Sequence, residues 1–276
     1  GAVHPITGTY YFATGTSGGN IKLFAWNETA KSAVQVGTLT PAAGSKSFGA
    51  NGDMAFSASG QLLLVADNVI YSADVPEGTS PSTGTISAKE VFAMDSSVLG
   101  NGIAFGNLGH IFVSAGASGG NPNRIIEVDL ARGTIISTTS LGSFAPTDMA
   151  SCTFPNTLTL KKDLPEGRQA ATDQFGLRID APTGYPVAQV TATTTGNASG
   201  LQADYAGPIF TNQGDEFTLS ESAAGTTDLT RYAASLQCEQ VGTSAPVGVD
   251  GNKVTQPAGD LGTDVICTYT NAKLTP

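Results

Sequence analysis

Leu158-Thr159-Leu160-Lys161-Lys162-Asp163 alternates apolar and polar side chains, as a strand with one covered face must. Leu158 and Leu160 point inward, so Lys162 is expected to share their face. The same period of two runs through Phe217-Thr218-Leu219-Ser220-Glu221 and Cys267-Thr268-Tyr269-Thr270-Asn271, putting Glu221 and Asn271 on inward faces. Three strands therefore each end an apolar face on a polar group. Between them, residues 173–179, 187–194, 208–210 and 232–240 also read as strands, separated by Gly, Pro and Asn turns. About seven strands and no required helix give an Ig-like β-sandwich over residues 153–276.

A charge on an apolar face is costly unless it is paired. One reading lets Lys162 and Glu221 run just past their strand ends into water. The other joins Lys162 to Asn271 by an intramolecular isopeptide bond promoted by Glu221. An apolar setting lowers the lysine pKa and yields a neutral amine nucleophile. It also favours a protonated glutamic acid that polarises the asparagine carbonyl and moves protons. Lys161 stays an alternative nucleophile, because a one-residue bulge would exchange the faces of the two lysines.

These three segments, in this order across about 110 residues, resemble the SpaA-like, or Cna B-type, prealbumin-like domains of Gram-positive surface proteins and pilins. The resemblance covers roughly residues 157–273. It implies that Lys162 and Asn271 are the bonded pair and that Glu221 is the catalytic acid.

Cys238 and Cys267 fall on inward faces of the same domain and are expected to form a disulfide across adjacent strands, which export would permit. Cys152 is left over at the domain junction. It either pairs with a cysteine outside this sequence or stays free.

The first half has a different texture. Asn51-Gly52-Asp53-Met54-Ala55-Phe56 returns as Asn101-Gly102-Ile103-Ala104-Phe105, with a weaker echo at Thr147-Asp148-Met149-Ala150-Ser151. Short apolar runs divided by Gly, Asn and Asp follow the first two copies, and an earlier unit begins at Thr9-Tyr10-Tyr11-Phe12. A period of about 40–50 residues with about four strands per unit describes a propeller blade. Some three blades and the start of a fourth are fewer than a propeller usually needs. Residues 1–152 are therefore expected to be a partial β-propeller-like domain, a fragment of a larger one, with a hinge at Thr153–Asn156. The segment resembles the propeller-like region preceding such sandwiches in large actinobacterial surface proteins.

Composition narrows the function. The 276 residues carry a formal net charge of −10, with only 13 Lys and Arg, which disfavours nucleic acid and anionic membranes. No apolar run is long enough to span a bilayer, and Gly1–Pro5 is no signal peptide. His4 and His110 are too few and too far apart for a zinc site or a catalytic dyad, and neither a nucleophile elbow nor a phosphate loop occurs. The Gly/Ser stretches at Gly15–Gly19 and Gly116–Gly120 read as turns. Asp53, Asp67, Asp74, Asp95 and Asp148 lack the spacing of a calcium loop. Tyr10, Tyr11, Phe24 and Trp26 could make a glycan platform, although core packing is the simpler use.

The chain is thus expected to be a non-enzymatic, extracellular cell-wall or cell-surface adhesin or stalk segment. It needs no cofactor or metal and meets an unidentified glycan or protein ligand. An accessory module of a secreted propeller enzyme and a pilin subunit are the alternatives. The first would show convergent carboxylates or histidines at a propeller mouth, and the second a Leu-Pro-x-Thr-Gly signal. Neither is evident.

Overall fold

The computed structural model describes residues 1–15, 19–106, 108–259 and 262–274. These are built from strands and turns, with one short 3₁₀ turn at Leu229–Arg231. The chain forms two units, Gly1–Pro155 and Asn156–Pro276.

The first unit contains β1 (Ala2–Val3), β2 (Tyr10–Gly15), β3 (Ile21–Asn27), β4 (Ser32–Pro41), β5 (Gly52–Phe56), β6 (Leu62–Ala66), β7 (Val69–Ala73), β8 (Thr85–Ala93), β9 (Leu99–Phe105), β10 (Ile111–Gly116), β11 (Asn123–Asp129) and β12 (Thr134–Gly142). They make three antiparallel meanders of four strands, β1–β4, β5–β8 and β9–β12. The two clear copies of the Asn-Gly motif start at β5 and within β9, so the sequence repeat is a repeat of meanders.

Propeller blades meet face to face. Here the first two meanders are instead fused by hydrogen bonds along an edge, with β4 parallel to β8 from Thr38↔Thr85 to Pro41↔Ala88. Gly37 allows that approach, since a Cβ there would lie 2.2 Å from Ile86 Cδ1. The resulting eight-stranded sheet curls until β1 lies beside β5, a nearly closed barrel. Tyr11, Leu23, Leu39, Phe56, Leu62 and Tyr71 fill it. The third meander remains a separate four-stranded sheet. The weak echo at Thr147–Ser151 forms no strand. It runs instead past Gly102, where a Cβ would come within 2.8 Å of the Met149 amide nitrogen.

The second unit contains β13 (Thr157–Leu164), β14 (Gln174–Asp180), β15 (Gln189–Thr193), β16 (Gly200–Leu201), β17 (Ala206–Phe210), β18 (Glu216–Ala224), β19 (Tyr232–Gln240), β20 (Pro246–Val247), β21 (Val249–Asp250), β22 (Lys253–Thr255) and β23 (Asp264–Lys273). All seven expected strands are present, with four very short ones added. One sheet runs β16-β13-β23-β19-β20 with β17 also on β13, and the other runs β15-β14-β18-β22-β21. Leu158, Leu160, Leu177, Ile179, Phe217, Leu219, Val254 and Val265 pack as its core.

First and last strands are neighbours. β13 pairs β23 in parallel, with Leu160 opposite Cys267 and Lys162 opposite Tyr269. β23 is paired on its other side by antiparallel β19. The last strand is thus held on both sides, and the first strand of the unit lies directly against it.

Candidate functional site

Three strands converge at one end of the sandwich. Lys162 on β13 and Asn271 on β23 belong to one sheet, and Glu221 on β18 comes from the other. Lys162 and Asn271 are fully buried. Lys162 Nζ lies 2.7 Å from Glu221 Oε1, with side-chain exposures of 0% and 6%. It also donates to the Tyr269 carbonyl at 3.2 Å. Asn271 Nδ2 donates to both Glu221 oxygens at 3.1 Å. Glu221 therefore bridges the amine and the amide. Neither lysine nor glutamate escapes to water past its strand end.

Apolar groups complete the pocket. The Phe175 ring lies 4.7 Å from Lys162 Nζ, and Tyr232 packs edge-on against that ring at 5.3 Å. Leu164 joins them. Burial holds the Lys162 pKa below the ordinary lysine value, against the upward pull of the Glu221 hydrogen bond and charge and of Asp163. Burial also raises the Tyr269 phenol, and the Glu221 charge adds to that rise. The Asn271 Oδ1 is buried and has no hydrogen-bond partner among the described residues. Such a group is costly to hold in a folded core.

Lys161 is not part of this cluster. The β13–β23 ladder runs without a shift from Thr157 to Asp163, so the faces alternate as the sequence implies. Lys161 falls on the opposite face, 6.0 Å from the Tyr205 ring.

Cys238 and Cys267 form a disulfide between directly opposed residues of β19 and β23, with Cα atoms 4.0 Å apart. Cys152 is free and exposed.

One buried group escaped the sequence reading. Arg168, in the loop after β13, donates to the carbonyls of Asp173 at 2.7 Å and Ala198 at 2.6 Å, and to Gln202 Oε1 at 2.9 Å and Gln174 Oε1 at 3.3 Å. A lone arginine between turns carries no periodic signal, and its partners come from three separate segments.

The other candidates have local roles. His4 is buried against Phe56 and Tyr11, and its pKa is lowered by burial. His110 pairs with Glu127 at 2.9 Å on the third meander. Tyr11 is core, bonding the Pro76 carbonyl, and Phe24 stacks on Phe12. Asp67 accepts from the Ala50 and Asn51 amides, and Asp53 from Ile103. Gly116–Gly120 is a turn closed by Ser118 and Asn121. Residues 16–18 of the Gly15–Gly19 stretch lie outside the described residues. Among the described residues, no helix is long and apolar enough to cross a membrane.

Parallel first and last strands, two facing sheets and a buried Lys–Glu–Asn cluster define the second unit as a β-sandwich of prealbumin-like type. In agreement, the SpaA_3 family, described as a prealbumin-like fold domain, matches residues 157–273. No curated protein matches the chain. Among solved structures, a variant of the major pilin from Streptococcus pyogenes aligns at 17% identity over 60% of this chain and 70% of that one, with a TM-score of 0.26. The T-13 major pilin from the same organism aligns at 10% identity over 96% of this chain and 88% of that one, with a TM-score of 0.28. Superpositions this loose support no argument about the present chain.

Proposed function

We propose that the chain is a segment of an extracellular surface protein of actinobacterial type, acting as a stalk or adhesin. In this reading the sandwich is a spacer closed by an isopeptide bond between Lys162 and Asn271. The first domain, residues 1–152, presents a surface to a glycan or protein ligand.

The supporting observation is that Glu221 touches both Lys162 and Asn271 inside a pocket closed to water. The lysine proton passes across the 2.7 Å contact to Glu221, leaving a neutral amine and a protonated acid. A half-turn of the Asn271 amide then exchanges Nδ2 for the unpartnered Oδ1, which accepts a hydrogen bond from the Glu221 acid. Lys162 Nζ attacks Asn271 Cγ. The new C–N bond forms, the Cγ–Nδ2 bond breaks, and Glu221 carries the surplus amine proton to the leaving nitrogen. Ammonia departs, one amide replaces another, and nothing is oxidised or reduced. The reaction is a single turnover of the protein on itself.

The bond would join first and last strands, so tension entering at Thr157 and leaving at Lys273 bypasses the folded domain between them. Intact-mass spectrometry of the purified chain tests the reading. The mass is expected to fall short of the sequence mass by one ammonia, in addition to the two hydrogens of the disulfide. A chain with its full amide complement rules the reaction out.

A further inference from the structure

We infer that the Cys238–Cys267 disulfide is a positioning device for the cross-link: it fixes the register of β23 on β19, closes before Lys162 joins Asn271, and accelerates that step. This rests on the cross-linking reading above and concerns how the same site is controlled.

The register carries the argument. Cys267 lies opposite Cys238, and Asn271 opposite Ala234, on one uninterrupted antiparallel ladder. Cys267, Tyr269 and Asn271 alternate onto one face, so the state of the cysteine pair dictates the state of Asn271. A slip of one residue turns Asn271 to the other face of the sheet. A slip of two keeps the face but moves Asn271 by about 7 Å along the strand. Nucleophilic attack needs the reacting atoms about 3–3.5 Å apart. With β13 and β18 held in place, either slip therefore removes Asn271 from Lys162 and Glu221. Either slip also carries the two cysteines out of direct opposition, and a two-residue slip puts their Cα atoms beyond the ~7 Å that a disulfide can bridge. A closed disulfide thus holds β23 on β19 in the register to which β13, paired along the other edge of β23, brings Lys162.

Chain separation favours the same order. The cysteines are 29 residues apart, whereas the Lys162 amine and the Tyr269 carbonyl it meets are separated by 107. The shorter loop closes at smaller entropic cost.

A role in carrying tension fits the geometry poorly. Cys238 and Cys267 both lie within the segment between Lys162 and Asn271, which the closed cross-link relieves of tension. The disulfide can matter while the bond is being made and is redundant for end-to-end force afterwards.

The test uses the full chain synthesised without cells under oxidising or reducing conditions. Samples are denatured and thiol-alkylated at intervals, then weighed intact, so that disulfide state and ammonia loss are counted on each molecule. A species with the disulfide and without ammonia loss is expected to accumulate first. Ammonia loss under reduction is expected to be about tenfold slower or more, by the cost of lost orientation, and to speed up when a disulfide oxidant such as oxidised glutathione is added. The Cys238→Val/Cys267→Val chain, which keeps the apolar contact, is expected to react slowly even with oxidant present. Cross-linked molecules with both cysteines alkylated appearing first, or equal rates in the two conditions, overturn the inference. Absence of ammonia loss in every sample overturns the cross-linking reading itself, a separate outcome.

Discussion

Lys162 Nζ and Glu221 Oε1 meet at 2.7 Å with the two side chains 0% and 6% exposed. Two charges so far from water are expensive, and their mutual attraction repays that cost only with good geometry and further hydrogen bonds. Glu221 receives those bonds from Asn271, and Lys162 gives one to Tyr269. An apolar pair of similar volume would serve stability as well. Under the proposed cross-linking reading the pair is stored reactivity, since proton transfer between the partners removes both charges and creates an amine nucleophile beside an acid.

Glu221→Gln separates those two roles. Glutamine keeps the shape and one acceptor but cannot take the lysine proton. The variant is expected to retain its full ammonia complement by intact mass. It also leaves a buried lysine without a counter-charge, a loss of about 3–5 kcal/mol, on top of the missing cross-link. Urea unfolding of Asn271→Ala, which cannot react, with and without Glu221→Gln isolates the pairing loss. Ammonia loss from Glu221→Gln at the wild-type rate would remove Glu221 from the mechanism.

The triad was legible because strand alternation is a hard constraint. Leu158 and Leu160 fix the face of Lys162, Phe217 and Leu219 that of Glu221, and Val265 and Cys267 that of Asn271. Choosing between Lys161 and Lys162 needed the ladder itself, because one bulge would have reversed them. The fusion of β4 to β8 was hidden for a different reason. Residues 38–41 and 85–88 carry no mark of which edge they prefer, and parallel pairing depends on chain path rather than local pattern. The echo at Thr147–Ser151 repeats the Asp-Met-Ala of β5 and runs beside Gly102 of the edge strand β9, yet forms no strand, so similarity of sequence did not produce one.

Stability should depend on pH through Lys162. Burial lowers its folded pKa below the ordinary value near 10.5, so the folded state releases a proton while the unfolded state still holds it. Stability then rises with pH between the depressed folded value and the unfolded one. Below that window the cost of burying the charged amine is fully present. In the unreactive Asn271→Ala background, the denaturant midpoint is expected to rise, relative to that of the same chain also carrying Lys162→Met and Glu221→Leu, as pH climbs toward the ordinary lysine value near 10.5. A midpoint that stayed constant or fell relative to that reference chain would mean that the amine is not held below its ordinary pKa.

Arg168 should matter as much as a core residue although it lies in a loop. Its guanidinium satisfies the carbonyls of Asp173 and Ala198 and the side chains of Gln174 and Gln202. Arg168→Ala takes the buried donor from the Asp173 carbonyl and from Gln202 Oε1 together, which is expected to cost roughly 2–4 kcal/mol. Arg168→Lys should recover little, because an ammonium cannot span the planar fork that reaches both sides. Thermal unfolding of the Asn271→Ala chain with each substitution checks this, and a lysine variant as stable as its parent would show that charge alone suffices.

The edge of the third meander offers a last test. β12 ends the sheet order β12-β11-β10-β9, and its residues are exposed or half-buried throughout, with Ile135 at 45% and Ile136 at 48%. The strand Thr134-Ile135-Ile136-Ser137-Thr138-Thr139-Ser140-Leu141-Gly142 has no charge and no proline, the usual guards of an open edge. Two register shifts against β11 are its only irregularities among the described residues. Unpaired backbone groups along such a strand invite another strand, and β-branched side chains favour the pairing. Concentrated protein is therefore expected to self-associate, and Ile136→Lys to suppress it by burying a charge in any edge-to-edge pair. Light scattering against concentration reads the difference. A lysine at the centre of the edge that left scattering unchanged would place the association elsewhere on the molecule.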